Sequence, residues 1–198
     1  PFAASALEVR RRLLPADHPR IADALEALGL ARMGAGEAGE AVAALEECLD
    51  LRRRVYGASH PAVLEALNSL ASAFEGGARF AEALVLRQEA MMLARRVLPA
   101  GSDSLAVQAN NFASLNFRLR RFDEAASGFA EAAAIWRKTA GEKSTRFGTV
   151  RNNLGFALHQ LGRFDEALDQ FQQAAAVRER GTDAGATRVA WWMVAWTL

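Results

Sequence analysis

Apolar residues recur along this chain at the spacing of one helix face. Leu67, Leu70, Ala71 and Phe74 show it clearly, because residues three and four apart share a side of a helix. The same pattern returns 42 residues away in both directions, as His18-Pro19 and His60-Pro61 announce. One apolar column reads Leu28, Leu70, Phe112, Leu154 and another Leu51, Leu93, Ile135, Val177. An alanine column holds Ala41, Ala83, Ala125 and Ala167, preceded by Glu40, Glu82, Glu124 and Glu166. Cys48, Ala90, Ala132 and Ala174 form a small-residue column, and Pro15, Gly57, Pro99 and Gly141 a chain-breaking one. No gap is needed to align the units, which marks a repeat architecture.

Each unit divides into two helices. The first ends near glycine (Gly34 and Gly36, Gly76 and Gly77, Gly162), with Arg120 in its place in the third unit. The second opens on acidic residues, as in Phe122-Asp123-Glu124-Ala125 and Phe164-Asp165-Glu166-Ala167, and closes on Arg52 to Arg54, Arg95-Arg96, Arg137-Lys138 and Arg178. Both choices suit the helix dipole, and the proline or glycine column then stops the helix. The alanine column predicts a close crossing of the two helices. Phe80, Phe122 and Phe164 are expected to fill the hinge, with Ala38 as the weak member. Arg87 departs from the column Leu45, Phe129, Phe171, which implies either a stem that snorkels its charge to water or looser packing in that unit.

The expected organisation is a single array. Residues 1–17 supply the second helix of a partial repeat, 18–59, 60–101, 102–143 and 144–183 are repeats, and 184–198 is a first helix only. Both ends fall mid-repeat. A segment of a longer array is therefore expected, since Trp191, Trp192 and Trp196 do not make the polar cap that such arrays carry.

These columns resemble the tetratricopeptide repeat. Leu154-Gly155, Leu158, Ala167, Phe171 and Ala174 match its pattern, as do Leu25, Leu28-Gly29, Ala41, Leu45 and Cys48. The 42-residue period, the His-Pro between units, the Asn-Asn pairs and the phrase GRFDEAL are similar to the kinesin-light-chain-like subtype. The resemblance implies an all-α fold, a right-handed α-solenoid of tandem helix-turn-helix repeats, with first helices on the concave face and second helices on the convex face. It also implies a non-enzymatic scaffold that binds a protein or peptide segment in the concave groove.

The groove position of similar repeats falls on Asn68, Asn110 and Asn152, with Glu26 in the first unit. An amide offers both a donor and an acceptor and can hold an extended peptide backbone; the competing role is bonding within or between repeats. Asn111 and Asn153, one residue on, read as packing residues. The same face carries Leu30, Ser72, Ser114 and Phe156, then Met33, Glu75, Phe117 and His159. Glu26, Glu65 and Glu75 against Arg118, Arg151 and His159 suggest a polarised groove, set against scattered solvated charge. The lysine-asparagine clamp by which some such domains grip a C-terminal carboxylate is absent, since Glu26 and Leu30 stand at its positions.

Composition narrows the remaining classes. Net charge is +1, with 24 basic and 23 acidic residues, so the basic excess of a nucleic-acid binder is missing. Cys48 is alone and cannot form an internal disulfide; a small-residue column suits a buried, inert thiol. His18 and His60 sit one repeat apart, too far to share a metal, and a loop or capping role is expected. No nucleophile elbow, phosphate loop or metal spacing is present, so neither catalysis nor a cofactor is expected. The apolar run Val189 to Trp196 is shorter than the ~20 residues of a membrane span. No signal peptide is read at the N-terminus, and a cytoplasmic location is expected. The alanine- and arginine-rich usage is compatible with a high-GC bacterium. Two expectations stay open: a regulatory arm of a larger signalling enzyme (kinase, protease-like or nucleotide-switch), and a homodimer through an association surface at Trp191, Trp192 and Trp196.

Overall fold

A computed structural model describes residues 2–179. The partial repeat 184–198, with Trp191, Trp192 and Trp196, lies outside the described residues. Those described form nine helices and no strand. The chain divides into two compact units, Pro1–Leu98 and Pro99–Leu198. The first holds α1 (Phe2–Leu13), α2 (Pro19–Gly34), α3 (Ala38–Tyr56), α4 (Pro61–Gly76) and α5 (Phe80–Val97). The second holds α6 (Asp103–Arg118), α7 (Phe122–Thr139), α8 (Thr145–Gln160) and α9 (Phe164–Glu179).

The helix starts follow the 42-residue register, and each local signal has a physical job. His18 Nδ1 accepts the backbone N–H of Arg20, and His60 Nδ1 that of Ala62, both at 3.1 Å. The histidines are therefore N-caps, and the proline that follows each has no N–H to satisfy. Ser102 and Ser144 do the same work for Leu105 and Phe147 at 3.2 Å. This explains how the later repeats lose His-Pro without losing a helix start.

First helices end in a shared turn. Gly36, Ala78, Arg120 and Gly162 all adopt the left-handed region, at φ of 78°, 57°, 60° and 74°. The next N–H then reaches back five residues, for example Arg79 to the Phe74 carbonyl at 2.8 Å and Arg121 to that of Asn116 at 2.9 Å. That pattern closes the helix end. Arg120 thus occupies the glycine site in the glycine conformation.

Within each hairpin the helices approach closely. Ala41, Ala83, Ala125 and Ala167 are all 0 % exposed. A methyl at Gly29 would lie 2.5 Å from Leu45 Cγ, and one at Gly155 2.6 Å from Phe171 Cε1. Glycine on the first helix makes room for the large residue on the second. Leu25, Leu45, Leu51, Leu67 and Leu93 fill the first unit's core, and Leu115, Val150 and Phe171 that of the second.

The charged ends of the second helices are used locally. Arg11 pairs with Glu47 at 2.5 Å and Arg53 with Glu89 at 2.6 Å, each 36 residues apart. Such half-exposed pairs contribute little to stability.

Candidate functional site

The second unit carries an apolar pocket on its first-helix face. Ser114, Phe117 and Arg118 of α6, Phe129 of α7, and Asn153 and Phe156 of α8 line it. Its volume is about 180 Å³. The pocket is built from the repeat itself. Asn110, Ser114 and Phe117 follow one another at i, i+4 and i+7 on α6 and so share a face. Phe117 meets the hinge ring of Phe122 edge-on at 5.5 Å, and Phe156 meets Phe171 edge-on at 5.3 Å. These contacts hold two walls of the pocket at fixed angles. His159, the next residue of the α8 face, stands edge-on to Phe164 at 5.3 Å.

The asparagines divide. In the second unit the Asn110 and Asn152 side chains are half-buried. Ser114 Oγ donates to the Asn110 backbone carbonyl at 2.8 Å and leaves the amide alone. In the first unit Asn68 is engaged: its Oδ1 accepts from Arg87 Nη1 at 2.8 Å. Arg87 Nη2 also donates to Ser72 Oγ at 3.1 Å, and Arg87 Nε to Glu75 Oε1 at 2.9 Å. Arg87 is only 6 % exposed. Its guanidinium does not snorkel out to water; the charge is buried with an ion-pair partner and two further acceptors.

Glu26 is likewise committed. Its carboxylate accepts from Arg52 Nη2 at 2.7 Å and from Ser69 Oγ at 2.9 Å. Arg52 is 5 % exposed, donates to the Ala62 carbonyl at 3.1 Å, and lies 3.6 Å from Glu65. The three acidic residues that suggested an acidic early groove are thus each matched by a buried arginine. On the other side, Arg151 stacks on Phe147 at 4.8 Å and donates to Gln170; burial pulls its pKa down. The expected polarisation of the face loses its acidic half to these pairs.

Two pocket residues escaped the sequence reading. Phe129 sits in a column read as packing, yet its ring lines the pocket wall. Asn153 was read the same way. The available signal was Gly128: a methyl there would come 2.9 Å from Ala113 Cβ and 3.2 Å from the Ala109 carbonyl, so α7 presses closer to α6 at this point.

No group of three metal-ligating side chains gathers among the described residues. Cys48 is 0 % exposed, its Sγ donating to the Ala22 carbonyl at 3.3 Å. Burial pushes the thiol up to about 11, away from the reactive thiolate. No described helix is long and apolar enough to cross a membrane.

The sequence model of the tetratricopeptide repeat matches residues 21–96 and 104–180. The chain belongs to that family. Tetratricopeptide repeats are scaffolds suited to protein interaction and are generally non-enzymatic. No curated protein matches the sequence. Among solved structures, BtubC (BKLC) from P. vanneervenii is similar at a TM-score of 0.82 and 22 % identity, over 99 % of this chain and 80 % of that one. A Podosopora anserina protein described as a kinesin light chain with nearly identical TPR-like repeats gives 0.80 and 19 %, over 91 % and 86 %. Aspartyl phosphate phosphatase F from Bacillus subtilis gives 0.73 and 15 %, over 95 % of this chain and 48 % of that one. At these identities the likeness is one of fold: an all-α solenoid of tetratricopeptide hairpins, with kinesin-light-chain-like repeats among its relatives.

Proposed function

We propose that this tetratricopeptide repeat protein is a non-enzymatic scaffold that holds a protein segment against the first-helix face of its second unit. The observation that carries this reading is the pocket itself. Three phenyl rings, from Phe117, Phe129 and Phe156, surround about 180 Å³ of space, while the amides of Asn110 and Asn152 stand half-buried on the same two helices. An apolar pocket with a few polar groups beside it suits a peptide. A side chain enters the pocket, and the amides take the donors and acceptors of the ligand backbone. Rigid helices hold both parts in place, so little ordering is lost on binding.

The test is selection of binders from a random peptide library displayed on phage, followed by calorimetric titration of a recovered peptide. Asn110→Ala with Asn152→Ala, and separately Phe117→Ala, should each weaken binding by roughly tenfold or more. Thermal unfolding checks that the variants stay folded. Peptides that bind all variants with wild-type affinity would move the function off this face.

A further inference from the structure

The repeat places equivalent residues on α4 and α6, but the two helices treat them in opposite ways. On α6, Ser114 and Phe117 open onto the pocket, with the phenyl ring of Phe129 as part of its wall. The α4 counterparts, 42 residues earlier, are Ser72 and Glu75, and the counterpart of Phe129 is Arg87. There the polar side chains bind one another. The Arg87 guanidinium spends Nε on Glu75, Nη1 on Asn68 and Nη2 on Ser72. Its Nη2 also lies 2.8 Å from the Glu75 carboxylate, whose side chain is 19 % exposed.

We infer that Arg87 is a specificity-determining residue: paired with Glu75, it ties up Asn68 and Ser72 and so withdraws the α4 face from a ligand that the α6 face accepts. The inference rests on the groove reading above. The physical reason is competition. A peptide amide that sought Asn68 Oδ1 would have to displace a charge-assisted hydrogen bond. It would also leave a buried guanidinium short of an acceptor, which is costly in a low-dielectric site. A ligand side chain that approached α4 there would meet an ion pair instead of an aromatic wall. Arg87 thus makes the α4 face unlike that of α6, a difference that helps a scaffold built from repeated hairpins to hold its ligand in one register. This is specificity by exclusion.

The repeats themselves supply the reverting substitutions. Glu75→Phe with Arg87→Phe copies the Phe117 and Phe129 pair, and Glu75→Phe with Arg87→Leu keeps that phenylalanine while taking the leucine that Leu45 supplies at the same repeat position. The probe is N-acetyl-phenylalanine amide, titrated into the full chain and followed by amide chemical shifts. In the wild type, shifts are expected around residues 114–118 and 156 and not around 68–75. Either double variant, once circular dichroism shows it folded, should gain a second set around 68–75 with an affinity within about tenfold of the first. Shifts at both places in the wild type would overturn the inference and leave the groove reading standing. So would a folded variant that gains no second set. No shift around 114–118 in the wild type would sink the groove reading and this inference with it. Having two independent variants guards against one that fails to fold.

Discussion

Cys48 lies in a column otherwise held by alanine, fully buried, with its thiol held protonated by burial. The sign of the pH effect follows. Burial pushes the folded thiol up to about 11 from its ordinary 9.0, so folding favours the protonated form. That stabilisation is complete below pH 9.0 and is lost as pH rises towards 11. Denaturant unfolding should therefore show a wild-type loss of stability between those values that Cys48→Ala does not share; equal slopes in both proteins would refute it. At neutral pH the same substitution should cost only about 1 kcal/mol, because one small group leaves the site. Ala78 offers the opposite test. Its φ of 57° is one that glycine adopts freely, and a methyl there opposes the turn. Ala78→Gly should raise stability by about 0.5–1 kcal/mol in spite of the freer unfolded chain. A fall in the urea midpoint would show that the turn draws something else from the side chain.

At the scale of the helix, the caps are where sequence and structure agree through different residues. His60 caps α4 through Nδ1 and stacks on Tyr56 at 4.4 Å. His60→Ala should cost about 1 kcal/mol, and His60→Ser should recover most of it, since Ser102 and Ser144 already serve at the same repeat position. Thermal melts of the two variants decide it: equal losses would mean that the stacked ring, not the cap, is what matters. Hairpin packing shows the same trade between paired positions. Glycine at 29 and 155 faces Leu45 and Phe171 so closely that even a methyl group would clash.

For the whole molecule, the face and the core are separable within the second unit. Leu115 is 0 % exposed, whereas Asn110 and Asn152 are half-buried at the surface. Leu115→Ala should cost about 2–5 kcal/mol in denaturant unfolding, while Asn110→Ala with Asn152→Ala should stay within about 0.5 kcal/mol of wild type. A large loss from the asparagine pair would make those amides structural, as Asn68 is through Arg87.

The sequence by itself determined the elements, their 42-residue register, the cap and turn positions, and the family, because each follows from local signals that recur down the chain. It also indicated which face of the first helices to examine. Only the tertiary structure decided which residues of that face are open. Asn68, Asn110 and Asn152 are identical in the sequence. What separates Asn68 from the others is a guanidinium that reaches it from the neighbouring helix, 19 residues away along the chain. Helical spacing places side chains on faces, but it does not say whether a buried charge will satisfy itself against them. That is settled by the three-dimensional competition for hydrogen bonds in a site from which water is largely excluded.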